Sequence, residues 1–112
     1  MRHAQLGDMI KGWFVGDFDP SVLRTKECEV AVKRYDAADK ETLHHHRIAT
    51  EITVVVSGRV RMFGRDWEAG SIVIAEPSDA TDFEALADTT IVVVKLPSIT
   101  GDKYPGAAPP AG

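Results

Sequence analysis

Between Glu27 and Pro97 the chain is cut into short β-branched runs, each closed by a turn residue. Thr50 to Ser57 reads TEITVVVS, Ser71 to Ala75 reads SIVIA, and Thr90 to Leu96 reads TIVVVKL. Val, Ile and Thr have restricted χ1 rotamers and suit a pleated, half-buried surface. Runs of this length cannot be amphipathic helices, and no other stretch makes a convincing one. TDFEALAD, from Thr81 to Asp88, holds helix formers but is short and lies between strand patterns. Near-regular short strands with Gly, Pro and Asp between them predict an all-β sandwich or barrel.

Glu27 to Tyr35, ECEVAVKRY, alternates. Cys28, Val30 and Val32 fall on one side, and Glu27, Glu29 and Lys33 on the other, the pattern of a half-buried strand. The apolar side is expected to pack, with Cys28 a small hydrophobe rather than a reactive thiol. Val60 to Phe63, the Gly64-Arg65 turn and Trp67-Glu68 read as a hairpin. Arg59, Arg61 and Arg65 around it read as strand-edge charges that discourage aggregation, with an anionic ligand as the other use. The GWFVGDF run from Gly12 to Phe18 is an aromatic strand. Its Trp13, Phe14 and Phe18 are expected in the core or a dimer interface rather than a pocket. Trp67 is expected in packing.

A chain of 112 residues is one domain by length. The divisions expected are an N-terminal strand or arm over 1–24, a barrel over 25–98 and a tail over 99–112. From Pro105 onward nothing larger than proline is available to bury, so the tail is expected to fray. The net charge of −4 gives no basic footprint, which argues against nucleic acid. A single cysteine excludes an internal disulfide, and no apolar run approaches bilayer length. A cytoplasmic protein without membrane contact is expected.

The chemistry concentrates in ETLHHHRIATEITVVVSG, Glu41 to Gly58. On an extended strand His44 and His46 share one face, and His45 takes the other. A turn at Arg47 to Thr50 would let Glu51 open the next strand, paired beside the first. Two imidazoles and a carboxylate could then converge on a divalent ion. Glu51 heads the face of its own strand that continues through Thr53, Val55 and Ser57. There it must be solvated, paired or bound, because burying it alone is costly.

His44-x-His46-x4-Glu51-x6-Gly58 resembles the first motif of the cupins at every one of these positions. The glycine that usually stands six residues before the first His is Ala38. The second cupin motif is only partly matched. Gly70 and Pro77 fall near their places, Asp79 stands where Gly is usual, Asp82 where the last metal-binding His is usual, and Leu86 where Asn is usual. The resemblance covers about residues 25 to 98 and implies a cupin-type jelly-roll β-barrel with its site in the mouth. It implies a divalent transition metal (Fe, Mn, Zn, Ni or Cu), a small-molecule ligand or substrate, and a homodimer, with GWFVGDF as a candidate contact. His44, His46 and Glu51 are then the metal ligands. Asp82 is a fourth oxygen ligand, or leaves a three-ligand site open to water or substrate, or marks a site that has lost its metal. Glu84, on the same strand face as Asp82, is paired with it as a candidate catalytic acid–base group. The leading function is a metal-dependent enzyme on a small polar metabolite. A non-catalytic binding or regulatory cupin and a metal-independent sugar isomerase or epimerase are the alternatives.

Overall fold

The computed structural model describes residues 1–110. Two antiparallel sheets of five strands face each other. One runs β1 (Trp13–Val15), β2 (Glu29–Tyr35), β9 (Thr89–Leu96), β4 (Thr50–Ser57), β7 (Ile72–Ala75). The other runs β10 (Tyr104–Pro105), β3 (Lys40–His45), β8 (Ala80–Ala85), β5 (Arg59–Met62), β6 (Arg65–Glu68). Neighbours in each sheet are mostly not neighbours in sequence, as a jelly roll requires. The β-branched runs all became strands, and so did the Thr81 to Ala85 part of TDFEALAD. A short 3₁₀ turn, Leu6–Asp8, precedes β1.

Strand alternation divides the barrel interior into two ends. Val55, Val60, Met62, Val73, Phe83, Ala85, Ile91 and Val93 form a buried apolar plug with Ala31. Toward the other end the same inward rows turn polar. Across β2, β9 and β4, one rung reads Glu29, Lys95, Glu51. This corrects the expected face of β2. Glu29 and Ala31 are buried, with Lys33 and Tyr35 on the same side, while Val30 and Val32 lie outward and half-buried. The valines are not wasted there, because the N-terminal arm folds over them: Val32 shares a depression with Leu6, Met9 and Phe14. Cys28 is half-buried at the start of this strand.

Gly58 occupies a tight turn between β4 and β5 at φ +88, where a Cβ would lie 2.4 Å from the Asp88 carbonyl oxygen. The motif glycine is therefore demanded by both conformation and space. The hairpin turn falls on Phe63 and Gly64, both at positive φ, one residue earlier than Gly64-Arg65. The arginines around it stay outside. Arg61 pairs with Asp66 at 2.9 Å, and Arg65 lies over the Trp67 ring at 4.8 Å.

The start of the segment expected to fray carries backbone pairing through Gly106. Tyr104 and Pro105 pair with His45 and His44 as β10, and the Gly106 N–H donates to the Leu43 carbonyl. The missed signal is that an edge strand needs backbone partners rather than large side chains. The same expectation for residues 111–112 lies outside the described residues.

Candidate metal centre

β3 and β4 lie in different sheets, so Glu51 is not paired beside the histidine strand as expected. Residues 46–49 instead cross from one sheet to the other, and Glu51 faces His44 and His46 across the barrel mouth. The three donors nevertheless converge: one ligand atom from each lies within 4.8 Å of the other two. An ion about 2.0–2.2 Å from each donor needs donors about 3–4 Å apart, so small side-chain rotations complete the set.

Second contacts fix the imidazoles. His44 Nδ1 lies 3.0 Å from the Thr42 carbonyl and His46 Nδ1 lies 2.6 Å from the Asp102 carbonyl. A carbonyl can only accept, so each Nδ1 carries the hydrogen and each Nε2 is directed to the site. His46 Nε2 is buried and 2.8 Å from Glu51 Oε2; with the ring hydrogen on Nδ1, Nε2 offers a lone pair that a carboxylate oxygen cannot satisfy unless a proton or a cation lies between them. The close carboxylate raises the His46 pKa above its ordinary value, against the opposing pull of burial. Burial pushes Glu51 upward, but His46, with help from Lys95 and His44, holds it below the ordinary carboxylate value.

The crossing loop is anchored from the C-terminal segment. Asp102, 3% exposed, accepts the backbone N–H groups of Arg47, Ile48 and Ala49 at 2.9 to 3.2 Å. Burial acts to raise the Asp102 pKa, and these N–H donors lower it, with a net shift downward. His45 points away from the site, as its strand parity predicts. It stacks on Tyr104, its Nδ1 donates to the Gly106 carbonyl at 2.8 Å, and its Nε2 is 3.4 Å from Arg47 Nε.

Asp82 and Glu84 are corrections. On β8 the inward residues are Thr81, Phe83 and Ala85, all buried, so Asp82 and Glu84 take the outer face. Asp82 borders the mouth but is exposed, and its charge acts on Arg61 outside the barrel. Glu84 lies opposite Arg61 and 4.0 Å from Lys40 Nζ. Neither falls within the donor group of His44, His46 and Glu51. The residue beside His44 on β8 is Thr81, and its hydroxyl is already used by the Phe63 N–H at 2.8 Å and the Asp82 carbonyl at 2.7 Å. Among the described residues the centre thus has three protein donors, with one side open.

That side opens on a cavity of about 350 Å³. Trp13 and Phe18 line it, where the sequence placed them in the core or an interface, while Phe14 faces the N-terminal arm. Lys33, Tyr35 and Glu41 also line it and were missed. A register shift between Glu41 and His44 lets both point inward from β3. Tyr35 donates to Glu41 Oε2 at 3.1 Å. Burial is the main cause that raises the Tyr35 pKa, and Glu41 adds to it, so the phenol stays protonated.

No protein-family model matches the chain, and no curated protein matches it. Solved structures do. An uncharacterised conserved protein with a double-stranded β-helix domain from Klebsiella pneumoniae is 18% identical, covering 96% of this chain and 93% of that one, with a TM-score of 0.71. KdgF from Halomonas sp. is 22% identical over 68% of this chain and 74% of that one, at a TM-score of 0.62. The bacterial pirin YhhW from Escherichia coli, in complex with nickel(II), is 16% identical over 79% of this chain and 39% of that one, at 0.65. The fold is that of the cupins, the double-stranded β-helix.

Proposed function

We propose that this cupin barrel is a metal-dependent enzyme acting on a small polar metabolite, with His44, His46 and Glu51 holding a divalent first-row ion. The observation that carries the reading is His46 Nε2. It is buried, its hydrogen is committed to Asp102 through Nδ1, and its lone pair faces Glu51 Oε2 at 2.8 Å, two electron-rich atoms that need a proton or a cation between them. An orphaned buried nitrogen costs about 1–3 kcal/mol, which an ion at the shared point would recover. Two imidazoles and one carboxylate suit Fe, Mn, Zn or Ni, and a fold neighbour holding nickel(II) is consistent with that set. Such an ion supplies Lewis acidity toward a substrate oxygen.

The chain's own groups handle the proton. Glu41, not Glu84 or Asp82, is the carboxylate inside the cavity on the histidine strand. Tyr35 donates to one of its oxygens, holds the carboxylate in place and leaves the other oxygen to accept a proton. Phe83, packed on the Tyr35 ring at a centroid distance of 4.6 Å, fixes the phenol and excludes water from its apolar side.

The test is metal content. Untagged protein, loaded with one divalent ion at a time and desalted, should retain about one ion per chain, and His46→Ala should retain none. Equal retention by both proteins, or none by the parent, would overturn the assignment.

A further inference from the structure

A hydroxyl sits within the apolar plug. Thr53 follows Glu51 on the inward row of β4 and is 2% exposed. The rest of its rung is carbon: Val73 on β7, Val93 on β9 and Ala31 on β2, all buried. A hydroxyl among such neighbours is unfavourable unless something hydrogen-bonds to it. The other buried hydroxyls have protein partners. Thr81 accepts the Phe63 N–H and donates to the Asp82 carbonyl. Thr89 accepts the Arg59 N–H and donates to the Ala87 carbonyl, and Ser98 donates to Glu29. Thr53 Oγ1 makes no such bond among the described residues. It is not sealed in either. Only His46 Nε2 is both sealed and unpartnered among them, and Thr53 lines the cavity.

Strand geometry ties this hydroxyl to the candidate metal centre. Successive inward residues on a strand are about 6.6 Å apart, so Thr53 lies one step deeper than Glu51. An oxygen held at the metal and an oxygen held by Thr53 therefore fit one small molecule whose oxygens stand on neighbouring carbons. The walls set the rest of its chemistry. Val73, Val93 and Ile91 on the same sheet, and Met62 and Phe83 on the facing one, line the inner end of the cavity. An ionised group against these carbon and sulfur surfaces would lose its water without gaining a counter-charge. A threonine hydroxyl both donates and accepts, so it serves a hydroxyl or a carbonyl equally.

We propose that Thr53 binds an uncharged oxygen of the ligand, so that the metabolite is a short ketol or vicinal diol. One oxygen goes to the metal, the next to Thr53, and the carbon end packs on Val73 and Val93. Placement of the first oxygen rests on the function proposed above. The Thr53 subsite itself needs only the hydroxyl and its apolar walls. A cavity of about 350 Å³ admits a molecule of about four to six carbons.

Acetoin is the probe, with butanone as the counterpart that lacks its hydroxyl. Binding to zinc-loaded and to metal-free protein is followed through the methyl NMR signals of Met62, Val73 and Val93. Acetoin is expected to shift these signals and to bind more tightly than butanone. Thr53→Val, which replaces the hydroxyl by a methyl, should weaken acetoin about three- to tenfold, and Thr53→Ser should keep most of the affinity. Both variants should retain zinc as the parent does. Without ligand, Thr53→Val should melt about 2–4 °C above the parent, because a methyl suits the plug better than an unpartnered hydroxyl. Equal acetoin affinity in the parent and Thr53→Val overturns the proposal. So does butanone binding as tightly as acetoin, or no shift with acetoin at about 100 mM. A lower Tm for Thr53→Val also overturns it, because the hydroxyl would then be engaged by the fold. Thr53-dependent acetoin binding in a chain that retains no metal would sustain the subsite and remove only the metal reading.

Discussion

Ala38 and Ser78 each hold a left-handed backbone, at φ 76 in both cases, in two turns built alike. In Asp36–Asp39 and Glu76–Asp79 the fourth residue donates its N–H to the first residue's carbonyl, at 3.1 and 2.9 Å. The same aspartate accepts the first residue's N–H through its side chain, at 2.9 Å in each. Asp79, odd in the motif, is thus a turn cap, and the conformational demand falls one residue earlier, on Ser78. A side chain in this region costs about 1–2 kcal/mol, partly offset by the greater unfolded-state freedom of glycine. Ala38→Gly and Ser78→Gly should each stabilise by about 0.5–1 kcal/mol and raise Tm by about 3–6 °C. A thermal melt showing no gain in either would mean that the turns carry no strain. The His46–Glu51 pair gives a pH signature in the metal-free protein. The raised His46 pKa contributes stability that is complete below its unfolded value near 6.5 and lost as pH climbs through the higher folded value. The lowered Glu51 pKa contributes stability that is present above 4.5 and lost as pH falls through the folded value. Melts of the metal-free protein should therefore show this contribution complete between those values and fading above 6.5, and Glu51→Gln should flatten the fade. With the ion present the upper limb should reverse, because binding displaces the His46 proton.

At the scale of elements, strands were legible and their inner faces were not. The β-branched runs between turn residues marked β2, β4, β7 and β9 because strand pattern is local. Which face of β2 is interior depends on what the other sheet presents, and here it presents a polar mouth. Glu29, Lys33 and Tyr35 therefore point inward against the hydrophobic pattern, and these cavity-lining groups stayed hidden. The histidine pair was legible because period two places His44 and His46 together. Asp82 and Glu84 were misplaced by one residue of parity, since the position that motif spacing assigns to Asp82 lies on the outer face of β8. Nothing local announces Asp102. Its role exists only once β10 lies against β3 and delivers a buried carboxylate to three loop N–H groups. Asp102→Ala should destabilise by about 2–3 kcal/mol in urea unfolding, because the buried Ala49 N–H is left without an acceptor. It should also weaken metal retention by about tenfold or more, since the loop that carries His46 loses its anchor. Asp102→Asn keeps one acceptor and should lie between. Full metal retention by Asp102→Ala would separate the loop anchor from the site.

The whole molecule shows water a face that a lone barrel has no use for. On the outside of the first sheet, β9, β4 and β7 align Val94, Ile52 and Ile74 in one rung and Val92, Val54 and Ile72 in the next. Ile72 and Ile74 are 61% and 55% exposed, and Val56 beside them is 53% exposed. The N-terminal arm covers only the β2 side. Three strands about 4.8 Å apart, each residue rising about 3.3 Å, make a face of about 200 Å² over these two rungs before side-chain relief is counted. That is the apolar centre of a contact, and the surrounding rim would supply the rest of the about 1,000 Å² that a specific interface needs. A second copy is the occupant that fits, because these six side chains carry no charge and a two-fold contact asks only that the patch match itself. The expected contact is therefore this sheet face rather than the GWFVGDF run, whose Trp13 and Phe18 are committed to the cavity. Light scattering at micromolar concentration should give twice the chain mass of 12.2 kDa, and Ile74→Lys should give the chain mass with unchanged circular dichroism. The site opens inside the barrel, away from this face, so the monomeric variant should retain metal as the parent does. A parent that scatters as a monomer at about 100 μM, well above a typical micromolar Kd, would show that this face is solvated rather than paired.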